Sequence, residues 1–316
     1  MNRPKVFITG VTGGIGQHLA AYLLAQGAEV YGLQRKSPDG NSPLRENQIH
    51  IGDLLDGTSL YKALDKVRPT HIYHLAGSID KDITEGLINY ETNVIGTIRL
   101  LNAVTSLGLT PKILIAGSSA VYGGASDVPL KEETELQPRT HYAVSKVAQE
   151  MVAIKYHQTC GLPIVRVRTF NVIGPGISPS LLCADLAQQI ARAEYAGKTS
   201  IQVGNTQPRR DYTDVRDIVR AYVLLMQDGL PGEVYNVCSM QARSVQECLD
   251  GLLAQARIPL TVGVDESRFR AADIDIQVGD FTRIHNLTGW KPEIPFMRSL
   301  EDLLNDWRIK LQGVSQ

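Results

Sequence analysis

The first sixteen residues constrain the fold more than any other stretch. Lys5-Val6-Phe7-Ile8-Thr9 is a short apolar run with strand character, and it passes directly into Gly10-Val11-Thr12-Gly13-Gly14-Ile15-Gly16. A helix is expected from Gln17-His18-Leu19 onward. A strand, a turn with glycines at 10, 13 and 16, and a helix together form a cradle for a dinucleotide. The first glycine permits the tight turn, the second lets backbone N–H groups reach a pyrophosphate, and the third lets helix and strand pack closely. The helix N-terminus then faces the phosphates with the positive end of its dipole.

The rest of the first half continues the pattern. Strands are expected at 28–33, 49–53, 71–75, 112–117 and 163–169. Helices are expected at 60–67, within 83–107, and at 142–159. Such alternation predicts an α/β fold with a Rossmann-type, doubly wound parallel sheet, whose ligands bind at the carboxyl ends of the strands. After Phe170 the pattern loosens at Gly174-Pro175-Gly176. A helix at 182–196, a strand at 201–203, a loop at 204–210, a helix at 215–227 and a strand at 233–237 follow. The expected division is a dinucleotide-binding domain at 1–170, with 211–238 returning to the sheet. A smaller C-terminal α/β substrate domain takes 171–210 and 239–316.

Composition narrows the function classes. The net charge of −1 gives no electrostatic footprint for nucleic acid or an anionic membrane, and no apolar run approaches a membrane span. Met1-Asn2-Arg3-Pro4 leads straight into the first strand, leaving no room for a signal peptide. The cysteines, Cys160, Cys183, Cys238 and Cys248, have no CxxC spacing and fit scattered thiols of a reducing cytosol. The expected location is therefore cytoplasmic. The histidines show no HxxxH spacing; His18, His50, His71, His74, His141, His157 and His285 are read as structural, and no metal is expected.

Tyr142-Ala143-Val144-Ser145-Lys146 puts a phenol and an ammonium on one helix face, one turn apart. A neighbouring cation favours phenolate and lowers a pKa that is about 10 unperturbed, which would let Tyr142 act as an acid or base near neutrality. Ser118 follows the fifth strand in Gly117-Ser118-Ser119, where its hydroxyl could bond a reacting oxygen. A surface helix pair is the ordinary reading of YxxxK alone, but the cradle upstream makes Ser118, Tyr142 and Lys146 a catalytic set. At the end of the second strand, about 20 residues past the last glycine, NAD sites usually carry an acid for the ribose. Here stand Gln34-Arg35-Lys36. A solvated basic turn is one reading. Two cations able to hold a 2′-phosphate are the other, and they point to NADP(H), with NAD(H) as second choice.

These motifs, with His74-Leu75-Ala76-Gly77, Asn93 and Arg168-Thr169-Phe170-Asn171, resemble the extended short-chain dehydrogenase/reductases over nearly the whole chain. That resemblance implies nucleotide-sugar substrates and a homodimer built from two helices per subunit. It assigns Gly10, Thr12, Gly13, Gly14, Ile15, Gly16, Arg35, Lys36, Asp53, Leu54, Leu75, Ala76, Gly77, Asn93, Tyr142 and Lys146 to the cofactor, with Asp53 receiving the adenine amino group.

Further segments are Arg168 to Gly176, Val203-Gly204-Asn205, Arg210-Asp211-Tyr212-Thr213-Asp214, Tyr235-Asn236-Val237 and Gly289-Trp290-Lys291-Pro292. These resemble GDP-4-keto-6-deoxy-mannose reductases, whose close relatives are GDP-mannose 4,6-dehydratases. Substrate contacts implied are Ser118, Ser119, Asn171, Val203, Asn205, Arg210, Arg270 and Asp273, while Arg209 and Arg216 are read as solvated or structural. Where Arg-Pro-x-Glu is typical, this chain has Arg270-Ala271-Ala272-Asp273.

Dehydratases of the family place a carboxylate pair directly after the catalytic hydroxyl residue. This chain has Ser119 and Ala120 there, neither able to titrate usefully. This argues against a dehydratase but does not separate reductase from epimerase, since Ser, Tyr and Lys serve both. The resemblance and the cations after the second strand favour NADPH-dependent reduction of the C4 keto group of a GDP-4-keto-6-deoxy-hexose, giving GDP-D-rhamnose or its C4 epimer. A UDP-sugar 4-epimerase with retained NAD is the alternative. A dehydratase and a non-catalytic cofactor-binding protein stand behind both.

Overall fold

The computed structural model describes residues 3–36, 42–79, 86–125, 128–269 and 274–313. The first half runs β1 (Lys5–Thr9), α1 (Gly14–Ala25), β2 (Glu29–Gln34), β3 (Ile49–Ile51), α2 (Gly57–Val67), β4 (His71–His74), α3 (Leu87–Tyr90), a π turn (Glu91–Ile95), α4 (Gly96–Ser106), β5 (Lys112–Ser118), α5 (His141–Cys160) and β6 (Ile164–Thr169). The second half adds β7 (Asn171–Ile173), α6 (Leu182–Ala196), β8 (Ser200–Val203), β9 (Arg209–Asp214), α7 (Val215–Asp228), β10 (Val234–Val237) and β11 (Ala242–Ser244). It ends with α8 (Val245–Leu253), β12 (Thr261–Val264), β13 (Ile276–Gln277), α9 (Thr282–Thr288) and α10 (Phe296–Gly313).

Seven parallel strands form the main sheet in the order β10-β6-β5-β4-β1-β2-β3. β1 and β4 are neighbours, yet the chain leaves β1 toward β2 and β3 and returns to β4 on the other side. This is the switch point at which such sheets bind ligands. Strand residues alternate between two cores, as the pleat requires. Val6 and Ile8 of β1 face α1 and α7 through Leu19, Leu23, Ile218 and Leu225. Phe7 faces the other way, toward Leu60 and Leu64 of α2 and Leu100 and Leu101 of α4.

The second sheet is small. β9 pairs with β11, β13 and β7, and a third apolar core lies beneath it among α6, α8 and α10. Residues 209–214 thus belong to the small sheet rather than to an unpaired loop or to the main one; the chain rejoins the main sheet with α7 and β10. The tail is not all small-sheet material either, because Ile284 and Trp290 pack into the α1–α7 core.

A chain of buried polar groups runs through the α2–α5 side of the sheet. Thr97 Oγ1 donates to the Asn93 carbonyl at 2.6 Å. A hydroxyl has one hydrogen, so Thr97 must accept from His74 Nε2 at 2.8 Å and from Gln149 Nε2 at 2.9 Å. His74 is therefore the Nε2–H tautomer, and its Nδ1 accepts from Thr9 Oγ1 at 2.7 Å. Complete burial, with Lys146 nearby, pushes the His74 pKa from 6.5 down to about 3.

Above pH 6.5 the imidazole is neutral whether the chain is folded or unfolded. Below it the unfolded state takes a proton that the folded state refuses, so stability falls as pH falls toward 3. His50 and His71 are also depressed by burial and act in the same direction. Denaturant unfolding of wild type and His74→Gln at pH 7 and pH 5 isolates the His74 share. The stability difference between them should shrink by about 2 kcal/mol at the lower pH. A pH-independent difference would contradict a neutral buried imidazole.

Candidate active site

The glycine turn is shaped by backbone contact. Gly10 has φ of +75°, and a Cβ there would stand 2.6 Å from the Ala76 amide nitrogen. A Cβ on Gly16 would stand 2.2 Å from the Gly10 carbonyl oxygen. Neither position can hold a side chain without prying β1 from β4 or from α1. The Gly13 N–H closes the turn on Gly10 at 3.1 Å, and the first bond of α1 runs from Gln17 to Gly13. Helix α1 therefore begins at Gly14, three residues earlier than its apolar pattern suggests, which leaves the first-turn N–H groups of Gly14, Ile15 and Gly16 without helical acceptors. Thr12 and Gly13 are exposed on its rim. This arrangement fits a dinucleotide pyrophosphate.

Most of the other expected cofactor positions follow the carboxyl ends of β2, β3 and β4. Leu75 and Ala76 leave β4 while their N–H groups bond Thr9. Gly77 is exposed; a Cβ there would approach Asn93 Oδ1 at 2.9 Å and Lys146 Nζ at 3.4 Å, so only hydrogen keeps that floor open. Asn93 sits in the π turn and clamps the Gly77 loop through the Ser78 N–H and carbonyl at 2.9 and 3.1 Å. It also donates to Ser145 Oγ at 2.9 Å. Asp53 lies past the end of β3, where its Oδ1 accepts from the Leu55 N–H at 2.8 Å. Leu54 is buried against Gly96 rather than exposed to a ligand. Arg35 and Lys36 are exposed immediately after β2.

Ser118 is the last residue of β5, one residue further into the strand than expected. Its Oγ accepts from the Ala120 N–H at 3.2 Å. Helix α5 is capped by Thr140 Oγ1, which accepts from the Ala143 N–H at 3.1 Å. That cap sets Tyr142 and Lys146 on successive turns facing β5. The Ser118 hydroxyl stands beside the Tyr142 phenol and favours its ionised form. Across the sheet from Ser118, Thr169 Oγ1 bonds the buried Tyr222 phenol at 2.7 Å.

One electrostatic expectation is corrected. Burial pushes the Tyr142 phenol above 10, and it is Ser118, not Lys146, that pulls it back. The lysine Nζ is held instead by the Ala116 carbonyl at 3.0 Å and Gln149 Oε1 at 2.9 Å. Burial lowers its pKa to about 8 against the opposing pull of Glu150. Gln149 was not singled out from the sequence, although its i+3 spacing from Lys146 places it on the same helix face.

The substrate positions divide. Arg210 and Asn171 lie on β9 and β7 of the small sheet. The Arg210 guanidinium donates to the Ile274 carbonyl, and Asn171 Nδ2 to the Asp211 carbonyl at 3.3 Å. Asn205 Oδ1 closes its own turn by accepting from the Gln207 N–H at 3.0 Å. The Val203 side chain is buried in the small core, on the inward side of its alternating strand. Ser119 is also buried, paired with Gln277 rather than facing the opening. Arg270 and Asp273 lie outside the described residues. Arg216 is tied to Asp214 and Asp302, and Arg209 to the Ala242 carbonyl.

Asp211 is a residue the sequence reading passed over. It is fully buried and accepts from the N–H groups of Ser239, Met240 and Gly279 and from the Ser239 hydroxyl. It joins β9 to the two segments beside it. Among the described residues, no helix is long and apolar enough to cross a membrane.

A family model described as GDP-mannose 4,6 dehydratase matches residues 7–303. The GDP-6-deoxy-D-mannose reductase of Pseudomonas aeruginosa is 34% identical, covering 98% of both chains. The solved structure of RMD from Pseudomonas aeruginosa complexed with NADPH superposes with a TM-score of 0.84 at 34% identity, covering 97% of this chain and 99% of that one. The Thermus thermophilus UDP-glucose 4-epimerase complex with NAD gives a TM-score of 0.85 at 25% identity, covering 96% and 98%. A match that runs from the first strand into the last helix, on a sheet whose switch point holds the glycine turn beside Tyr142 and Lys146, places the chain in the GDP-mannose 4,6-dehydratase family of extended short-chain dehydrogenase/reductases, oxidoreductase-type enzymes of nucleotide sugars.

Proposed function

We propose that the protein is an NADPH-dependent reductase of the C4 keto group of a GDP-4-keto-6-deoxy-hexose, yielding GDP-D-rhamnose or its C4 epimer. The observation that carries this reading is the residue pair after Ser118. Ser119 is a neutral side chain turned into a buried contact, and Ala120 has no proton to give. Elimination of water needs an acid and a base at this place, whereas carbonyl reduction does not. The Pseudomonas aeruginosa reductase, similar along the whole chain, supports the same direction.

NADPH, when bound, supplies hydride to the sugar C4. Gly10 to Gly16 hold its pyrophosphate on the N-terminus of α1, and Arg35 with Lys36 attract its 2′-phosphate. Tyr142 delivers its phenolic proton to the C4 oxygen as charge grows there. Its raised pKa keeps the proton in place until then. Ser118 bonds the same oxygen, an oxyanion-type contribution. Lys146, fixed by Gln149 and Ala116, keeps a remaining N–H beside Gly77 for the cofactor. Asn171 and Arg210 contribute to binding the sugar diphosphate, arginine by its forked geometry.

The same Ser-Tyr-Lys set serves a UDP-sugar 4-epimerase, and the Thermus thermophilus epimerase shares the fold. An epimerase retains NAD through purification and needs no external reductant.

The working assay presents GDP-mannose converted by an authentic 4,6-dehydratase, together with NADPH. Addition of this protein should consume the reduced cofactor. Tyr142→Phe should lower kcat by about 10²- to 10⁴-fold with NADPH affinity unchanged. No consumption, alongside interconversion of UDP-glucose and UDP-galactose, would replace this reading with the epimerase.

For the cofactor, Arg35→Ala should weaken NADPH about 10- to 100-fold, the scale of one charged hydrogen bond, and leave NADH nearly unchanged. Equal loss for both cofactors would remove the 2′-phosphate assignment.

We also infer a homodimer through α3, the π turn, α4 and α5. Ile88 and Ile95 are exposed apolar residues of α3 and the π turn, and Val144 and Met151 are exposed apolar residues seven apart on α5, which puts that pair on one helix face. Sedimentation of the wild type should give a dimer and of Ile95→Glu/Met151→Glu a monomer. A monomeric wild type would refute the interface.

A further inference from the structure

Ser119 and Gln277 are 158 residues apart and form a closed two-bond ring. Ser119 Oγ donates to Gln277 Oε1 at 3.2 Å, and Gln277 Nε2 donates to the Ser119 carbonyl at 3.1 Å. Both residues are buried. Ser119 follows the catalytic hydroxyl of Ser118 at the end of β5, in the main sheet. Gln277 belongs to β13, in the small sheet, where it stands opposite Arg210 in the register with β9. Arg210 in turn bonds the Ile274 carbonyl on the segment leading into β13. One carboxamide thus connects the strand paired with Arg210 to the turn directly after the strand end that carries the reacting hydroxyl.

From this geometry we propose that Gln277 is a positioning residue, which holds Ser118 in place against the small sheet through Ser119. This rests on reading Ser118 as the hydroxyl beside the reacting oxygen. A carboxamide is suited to the task because it offers one donor and one acceptor to the serine, whose side chain donates and whose carbonyl accepts. An apolar residue of the same size leaves a buried carbonyl without a partner and frees the loop to shift. A carboxylate presents a second acceptor to that carbonyl, whereas a neutral carboxyl group restores both bonds. The charged groups flanking it are already engaged: Arg210 by the Ile274 carbonyl, and Asp211 by Ser239, Met240 and Gly279.

The test uses the NADPH-loaded enzyme with the GDP-4-keto-6-deoxy sugar. In parallel, UDP-galactose with NAD is used, so that the role of Gln277 is judged on whichever substrate the wild type converts. Gln277→Leu should lower kcat by about 10- to 100-fold, the scale of a misplacement near 1 Å, with KM and NADPH affinity within about twofold. Gln277→Glu should be most active at low pH and lose activity relative to wild type as pH rises and its carboxyl ionises.

Gln277→Leu at wild-type kcat with only a lowered Tm would make the pair a structural tie and overturn the proposal. So would a Gln277→Glu profile parallel to wild type, which also decides the matter if the leucine variant does not fold. If wild type converts neither sugar, the proposed function falls by itself. Crystal structures with NADPH then judge Gln277: the Ser118–Tyr142 contact should be present in wild type and broken in Gln277→Leu, and an intact contact in the variant would overturn the proposal.

Discussion

The single hydroxyl hydrogen of Thr97 fixes the polarity of the whole site. Because it goes to the Asn93 carbonyl, Thr97 can only accept from its other neighbours. His74 must then donate through Nε2, and Gln149 must present its amide nitrogen to Thr97 and its oxygen to Lys146. From Thr9 at the end of β1 to Lys146 on α5, each group has one allowed orientation. In a low-dielectric interior, a mispaired member of such a chain costs as much as a lost bond or more, so its geometry is strongly determined. The glycine cradle and Lys146 are held at fixed separation by the same run of bonds.

A second buried polar cluster supports the middle of α5. Glu150, one turn beyond Lys146, accepts from the Arg168 guanidinium at 2.9 Å and lies 3.5 Å from that of Arg166. Arg168 also donates to the Tyr122 phenol and the Glu132 carbonyl. Buried cations are tolerated only with such complete pairing. The arrangement ties α5 to β6 and to the turn after β5, so the helix bearing Tyr142 and the strand bearing Ser118 share one frame. The short parallel strand β7 leaves β6 for the small sheet, which brings Asn171 and Arg210 within the reach of that frame.

Much of this was legible in the residues. The limits of α6 and the first strand follow directly from their apolar spacing, because each packs one face against a core. The Ser-Tyr-Lys set was legible because its key spacing is local, four positions on one helix. Other elements were not. β9 reads Arg-Arg-Asp-Tyr-Thr-Asp, with no apolar alternation, and is a strand because β7, β11 and β13 supply its partners. The π turn at Asn93 carries no local signature; the side-chain and backbone bonds of Asn93 to the Gly77 loop, Ser145 and Thr97 accompany it. Val203 and Leu54 occupy expected ligand positions but are turned inward by strand alternation and by close packing on Gly96.

The sequence alone determined the parallel sheet, the glycine turn and the candidate Ser-Tyr-Lys set, since all three depend on steric and hydrogen-bonding rules that act over a few residues. Only the tertiary structure decided which way those groups point and what tunes them. The Tyr142 phenol is set by burial and Ser118, the Lys146 ammonium by Gln149 and Ala116, and Ser119 by a glutamine at the far end of the chain. Desolvation and long-range pairing have no counterpart in local spacing; they exist only once distant segments close around the same buried volume.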